Sequence, residues 1–190
     1  MLGSGEVKDI LYSTIESIGK ERIRTDTTSN VKSSQKYIDR LMDECLAEIS
    51  IDSSTSNQAE TIAFLGEALL HFMLTVSTLP SERKIQVKDN LILDIVIPNL
   101  QSLKRMPDKS IIIEIIRNKV DLDKISHLEF FQPNYKNIWL LSVVPISIRR
   151  HRIYPLYSST GVVENSFSNI IIDINDFLKG TGDKSLRFIH

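Results

Sequence analysis

Residues 84–119 read K-I-Q-V-K-D-N-L-I-L-D-I-V-I-P-N-L-Q-S-L-K-R-M-P-D-K-S-I-I-I-E-I-I-R-N-K. Two runs inside this stretch, Leu91 to Ile97 and Ile111 to Ile116, consist of Leu, Ile and Val except for one carboxylate each, Asp94 and Glu114. Continuous apolar runs of this length and composition predict strands covered on both faces. An isolated buried carboxylate costs far more than strand packing returns. Each must therefore find a partner, take up a proton, or open onto a cleft that holds a cation. Two neighbouring strands with the same feature favour the last arrangement.

Elements upstream and downstream fit around this pair. A helix is expected from about Gln58 to Thr78, with Ile62, Leu65, Leu69, Phe72 and Val76 as its buried seam and Asn57 or Ser56 as N-cap. Glu60 and Glu67 lie seven residues apart on one face, with His71 a turn beyond Glu67. Arg83 to Lys88 alternates as a strand, and Asp89-Asn90 is a hairpin signal leading into Leu91. Pro98 closes the next strand, and residues 101–109 read as a charged connection. A short helix is expected between Leu122 and Phe131, then a strand from Asn137 to Val144 that crosses back onto the same sheet. Ile146 to Tyr157 is more polar and carries Arg149, Arg150 and Arg152, while Asn169 to Ile174 reads as a last strand and the tail from Gly180 as loose.

The N-terminal third is helical in pattern. One amphipathic helix is expected from Glu6 to about Arg24, interrupted in its pattern by Gly19, then a polar break over Thr25 to Asn30. A second, from Ser34 to Ile49, carries the cleanest stripe of the chain: Ile38, Leu41, Met42, Cys45, Leu46 and Ile49. That face needs a cover, either the core or a second copy of the chain, so a homodimer through the N-terminal helices is one expectation. The Ser/Asp/Thr-rich stretch Ser50 to Asn57 divides a helical segment, residues 1–56, from an α/β core, residues 57–190. The order of elements makes that core a mixed α/β sheet flanked by helices.

Composition narrows the classes. The chain has 190 residues, 42% of them hydrophobic and 25% charged, with a net charge of −1. A nucleic-acid partner would have to be held by a local basic patch. No uninterrupted apolar run approaches the roughly 18–20 residues of a membrane span. With no apolar leader at Met1 to Glu6 and one cysteine, Cys45, the expected location is cytoplasmic. The four histidines and Cys45 do not fall at zinc-ligand spacing. Glycine-rich phosphate loops and nucleophile elbows are absent.

Helix, strand, strand with Asp94, strand with Glu114, helix, strand: this order resembles the PD-(D/E)XK nuclease superfamily, which includes restriction endonucleases and archaeal Holliday-junction resolvases. The resemblance spans Gln58 to Pro145 and implies a restriction endonuclease-like mixed sheet. It also implies Mg²⁺ held by Asp94 and Glu114, with Glu67 of the preceding helix as third ligand or base, and DNA phosphodiester hydrolysis. One feature departs from the family: Glu114-Ile115-Ile116 has isoleucine where E-x-K has its lysine. Residues 114 and 116 share a strand face, so Ile116 cannot supply the charge, and Arg117 points the other way. Lys119 is the first candidate for a displaced lysine, with Lys124 and Lys88 as alternatives. Arg149, Arg150 and Arg152 are candidates for phosphate contact, or else for a solvated edge. Three functions stay open at this level: a Mg²⁺-dependent nuclease, a nuclease-like module that binds nucleic acid without catalysis, and an α/β interaction protein that dimerises.

Overall fold

A computed structural model of the chain describes residues 3–49, 55–88, 91–146, 148–156 and 165–181. The elements are α1 (Ser4–Ile18), α2 (Lys20–Ser29), α3 (Ser33–Glu48), α4 (Thr55–Val76), β1 (Glu82–Lys88), β2 (Leu91–Ile97), α5 (Leu100–Arg105), β3 (Ile111–Ile116), α6 (Ile125–Phe131), β4 (Ile138–Ser142), β5 (Arg152–Pro155) and α7 (Ile170–Thr181). The strands form one sheet in chain order, β1-β2-β3-β4-β5. The first three are antiparallel, and β4 and β5 run parallel to β3. This is the expected mixed sheet, with the strands bearing Asp94 and Glu114 adjacent.

Alternation sorts the strand residues onto two faces. Ile95, Ile97, Ile113, Ile115, Trp139, Leu141 and Tyr154 join a core built with α1, α3, α4 and α7. Val96, Ile112, Ile116 and Leu140 face the other way, onto Leu103 of α5 and Ile125 and Leu128 of α6. With both faces covered, the near-continuous Ile/Val runs follow directly.

α4 is the central helix. By length and composition its Gln58–Val76 stretch matches a membrane span, contrary to the sequence expectation, but most of it is buried inside the protein. Leu65, Leu69, Leu70, Met73 and Leu74 are fully enclosed. At its end, Thr78 adopts φ +55° and Leu79 N–H donates to Leu74 O at 3.0 Å, closing the helix and turning the chain into β1.

The α3 stripe is received by the chain itself. Ile38, Leu41, Met42, Cys45 and Ile49 all lie in the core shared with α1, α4 and α7. Burial of each such side chain is worth about 1.5–3 kcal/mol before entropy, and it needs no second copy to occur.

Four expectations change. The single helix over Glu6 to Arg24 is two, because Gly19 takes φ +98° and breaks the axis between α1 and α2. The polar break after Thr25 is instead the end of α2, where Ile23 and Thr27 are buried one turn apart. The connection after Pro98 contains α5, capped by Asn99, whose side chain accepts Ser102 N–H at 2.8 Å. Asn169 to Ile174 is not a strand but the start of α7: Ile170, Ile171 and Ile174 are buried, and Phe177 and Leu178 continue the 3.6-residue repeat. The Asp89-Asn90 turn, most of the Ser50–Asn57 linker and the tail after Thr181 lie outside the described residues.

Candidate active site

Asp94 and Glu114 meet because of strand register. The β2–β3 ladder pairs Ile95 with Ile113, Val96 with Ile112 and Ile97 with Ile111. One step further along, Asp94 and Glu114 stand opposite each other on the face of Val96, Ile112 and Ile116. There the ladder stops, and the Asp94 side chain takes over its role: Ile115 N–H donates to Asp94 Oδ2 at 3.0 Å. Glu67 comes to the same end of the sheet from α4. All three carboxylates are buried, at 5% exposure for Glu67, 5% for Asp94 and 3% for Glu114.

Four cations answer them. Lys84 falls opposite Asp94 in the β1–β2 register, between the pairs Arg83–Ile95 and Ile85–Leu93. Its ammonium lies 2.7 Å from Asp94 Oδ1 and 3.0 Å from Glu67 Oε1, bridging the two. Arg83 reaches Glu67 Oε1 at 3.0 Å and Arg117 reaches Glu67 Oε2 at 3.4 Å. Arg117 thus faces α4, on the opposite side of β3 from Glu114. Lys84 holds φ +49° in the middle of a strand. A left-handed conformation costs a residue with a side chain roughly 1–2 kcal/mol, and at Lys84 it coincides with two ion pairs.

Lys124 completes the cluster at Glu114. After β3, Asn118 Oδ1 accepts Val120 N–H at 2.8 Å, while Asp121 Oδ2 accepts Arg117 N–H at 2.7 Å. This reciprocal cap winds Lys119 to Lys124 into a 3₁₀ turn, and that turn carries the Lys124 ammonium onto Glu114 Oε1. The other oxygen, Oε2, is buried with no donor reaching it.

The two carboxyl groups divide the protonation states. Burial, followed by the negative charge of Asp94, pushes Glu114 up to about 8, against the opposing pull of Lys124. Burial also pushes Asp94 upward, but hydrogen bonds from Glu114, Lys84 and the Ile115 N–H outweigh it and hold the group below its usual range. Near neutrality, then, Glu114 carries a proton and gives it to a hydrogen bond with ionised Asp94, as expected for a like-charged pair in a shared site.

The donor set fits a hard divalent cation. Two carboxylates suffice for Mg²⁺ when water and phosphate oxygens complete its shell, and Glu114 Oε2 receives no hydrogen bond from any donor among the described residues. Lys84 already shows that a cation is stable between Glu67 and Asp94. Among the described residues, no three His, Cys, Asp or Glu side chains stand ready at ligand spacing.

The remaining candidates lie elsewhere. Lys119 is exposed at the first position of the 3₁₀ turn. Arg149 and Arg150 are exposed in the turn before β5, at the end of the sheet where β4 and β5 begin and away from Glu114 near the end of β3. Arg152 stacks over the Trp139 ring at 4.8 Å and lies 3.6 Å from Asp173. Glu60 is exposed early in α4. His71 is half-buried with Nδ1 unpartnered, and burial together with Arg83 lowers its pKa. Sequence reading missed Arg83, Lys84 and Arg117 as members of the cluster. The available signal was the basic pair at the start of an alternating strand that hairpins onto the Asp94 strand.

No protein-family model and no curated protein matches the sequence. Solved structures do match in three dimensions. The restriction endonuclease PspGI, in complex with substrate DNA, superposes with a TM-score of 0.59 at 14% identity, covering 92% of this chain and 93% of that one. Metal-depleted Ecl18kI, in complex with uncleaved DNA, superposes with TM-scores of 0.53 and 0.52 in two structures at 10% identity, covering 96% of this chain and 87% of that one. The fold is restriction endonuclease-like, and the likeness covers 92–96% of the chain.

Proposed function

We propose that this restriction endonuclease-like chain binds DNA and hydrolyses its phosphodiester bonds with Mg²⁺, using Asp94, Glu114 and Lys124, with Glu67 as third ligand or water-positioning base. The single observation that carries the reading is the buried Asp94–Glu114 pair on adjacent strands with the Lys124 ammonium on Glu114. Lys124 supplies from the next turn the charge that Ile116 cannot supply from the strand. DNA as substrate is supported by the likeness to PspGI and Ecl18kI, both determined as DNA complexes.

Bound Mg²⁺ would stabilise charge on the scissile phosphate and acidify a coordinated water. The chain's own residues set the conditions for that. Asp94 is held ionised and oriented by Ile115 N–H, so one ligand is preformed. Glu114 has to release its proton before it can ligate, and Lys124 is the group that favours the ionised form. Arg83 and Arg117 fix Glu67 from two sides, leaving little freedom to its carboxylate. Arg149 and Arg150 are available for phosphate contact remote from the carboxylates. A homodimer would have to use a surface other than the buried α3 stripe.

A second reading, DNA binding without cleavage, is favoured by Ile116 and by the neutralisation of Asp94 and Glu67 by Lys84. Duplex, single-stranded and branched DNA incubated with Mg²⁺ or Mn²⁺ separates the two. Cleavage by the wild type and none by Asp94→Asn supports hydrolysis. DNA binding with no cutting and no metal-induced rise in melting temperature leaves the binding module.

A further inference from the structure

Lys84 is the residue of the cluster that neither strand patterning nor the hydrolytic reading requires. Its ammonium sits within hydrogen-bond distance of both Asp94 Oδ1 and Glu67 Oε1, at 2.7 and 3.0 Å. Those are two of the three carboxylates assigned to the metal. A monovalent cation fixed to the protein and a free divalent cation therefore want the same oxygens. The backbone at Lys84 is in the left-handed region, at φ +49°, directly opposite Asp94 in register. The same side chain is 46% exposed, so its stem has an open route to solvent. Glu114 Oε2, buried in the same cluster, receives no hydrogen bond from any donor among the described residues.

We propose that Lys84 is a tethered competitor for the divalent cation, occupying the Glu67–Asp94 position until a metal ion displaces it toward solvent. The proposal rests on the hydrolytic reading of the site and adds a device that regulates its loading. Arg83 and Arg117 hold Glu67 independently of Lys84, so the carboxylate keeps its place when the ammonium leaves. The left-handed φ of Lys84 favours departure in so far as the backbone relaxes to an extended conformation once the ammonium is free. Once swung out, the ammonium stands beside the mouth of the site, where a phosphate oxygen is its natural partner.

Mn²⁺ binding, followed by the paramagnetic signal of the free ion, tests this without reference to activity. Lys84→Met is expected to bind Mn²⁺ at least tenfold more tightly than the wild type, and Lys84→Arg, which keeps a cation there, to stay within about threefold of the wild type. In the wild type, amine-labelling of Lys84 followed by peptide mass spectrometry should accelerate several-fold on addition of Mg²⁺, with exposed Lys104 as an unchanged reference. Equal or weaker Mn²⁺ binding by Lys84→Met, with binding abolished in Asp94→Asn, would retain the metal site and overturn the competitor. Should Lys84→Met fail to fold, unchanged Lys84 labelling at saturating Mg²⁺ overturns it equally. Absence of Mn²⁺ binding in all variants removes both the hydrolytic reading and the competitor.

Discussion

Replacing Glu114 by Gln tests the internal logic of the cluster most directly. Glu114 is raised from an ordinary 4.5 to about 8 by burial and by Asp94. The folded protein thus retains a proton that the unfolded chain has lost, across the interval between those values. Stability must fall as pH rises through that window and level off above about pH 8. Between about pH 7 and pH 9 the unfolded chain is already deprotonated, so the loss comes from the native state alone. It amounts to about one pKa unit of free energy, on the order of 1 kcal/mol. Glutamine keeps a donor for Asp94 and cannot ionise, so Glu114→Gln should lack this loss. It should also be more stable relative to wild type at pH 9 than at pH 7 by that amount. Asp94, held low, stays ionised across the window, and His71, also held low, stays neutral. Urea unfolding of both proteins at the two pH values reads the difference. Parallel pH dependence of wild type and variant would refute the shared proton.

Lys124→Met removes the one group that lowers the Glu114 pKa, so DNA cleavage should vanish while Glu114 titrates at still higher pH by carboxyl infrared or NMR. With Glu114 then protonated, the stability cost should be only about 1 kcal/mol. Asp94→Asn should abolish cleavage yet change stability by no more than about 1–2 kcal/mol in urea, because Asn can still accept the Ile115 N–H and half-exposed Lys84 can turn to water. The acid-induced loss of stability that accompanies protonation of Asp94 should be absent from this variant. Gly66→Ala should destabilise by about 1–3 kcal/mol, since the added Cβ would lie 2.3 and 2.7 Å from the Leu156 methyls in the core. Thermal unfolding that leaves the midpoint unchanged would show that Leu156 gives way freely.

Fold and site differed in how far they could be read in advance. The strands of Asp94 and Glu114 declared themselves because doubly covered strands leave a continuous apolar signature, and their adjacency followed from chain order. The run Ile170-Ile171-Ile172 misled for the same reason. Three consecutive isoleucines look like a strand locally, and only Ile174, Phe177 and Leu178 beyond them reveal helical spacing. Carboxylates in apolar strands are visible in one dimension; the cations that answer them are not. Lys84 reaches Asp94 through a register and a positive φ, and Lys124 reaches Glu114 through a reciprocal cap on a 3₁₀ turn. Both depend on how a short connection bends. The α3 stripe was legible as a face needing cover, but what covers it comes from the far end of the chain.

That last point bears on how the protein is made. α3 shares its core with α7 and with Phe167 in the turn before it, and these are among the last described residues to be synthesised. By contrast, every strand pairs with its sequence neighbour, so the sheet can zip together as it emerges. A chain ending after β5 would therefore hold the five described strands and all seven ionisable groups of the cluster, yet leave Ile38, Leu41 and Cys45 without the α7 part of their cover. A stop codon placed before Ser166 should give such a chain, adhesive through its open α3 face rather than a smaller stable domain.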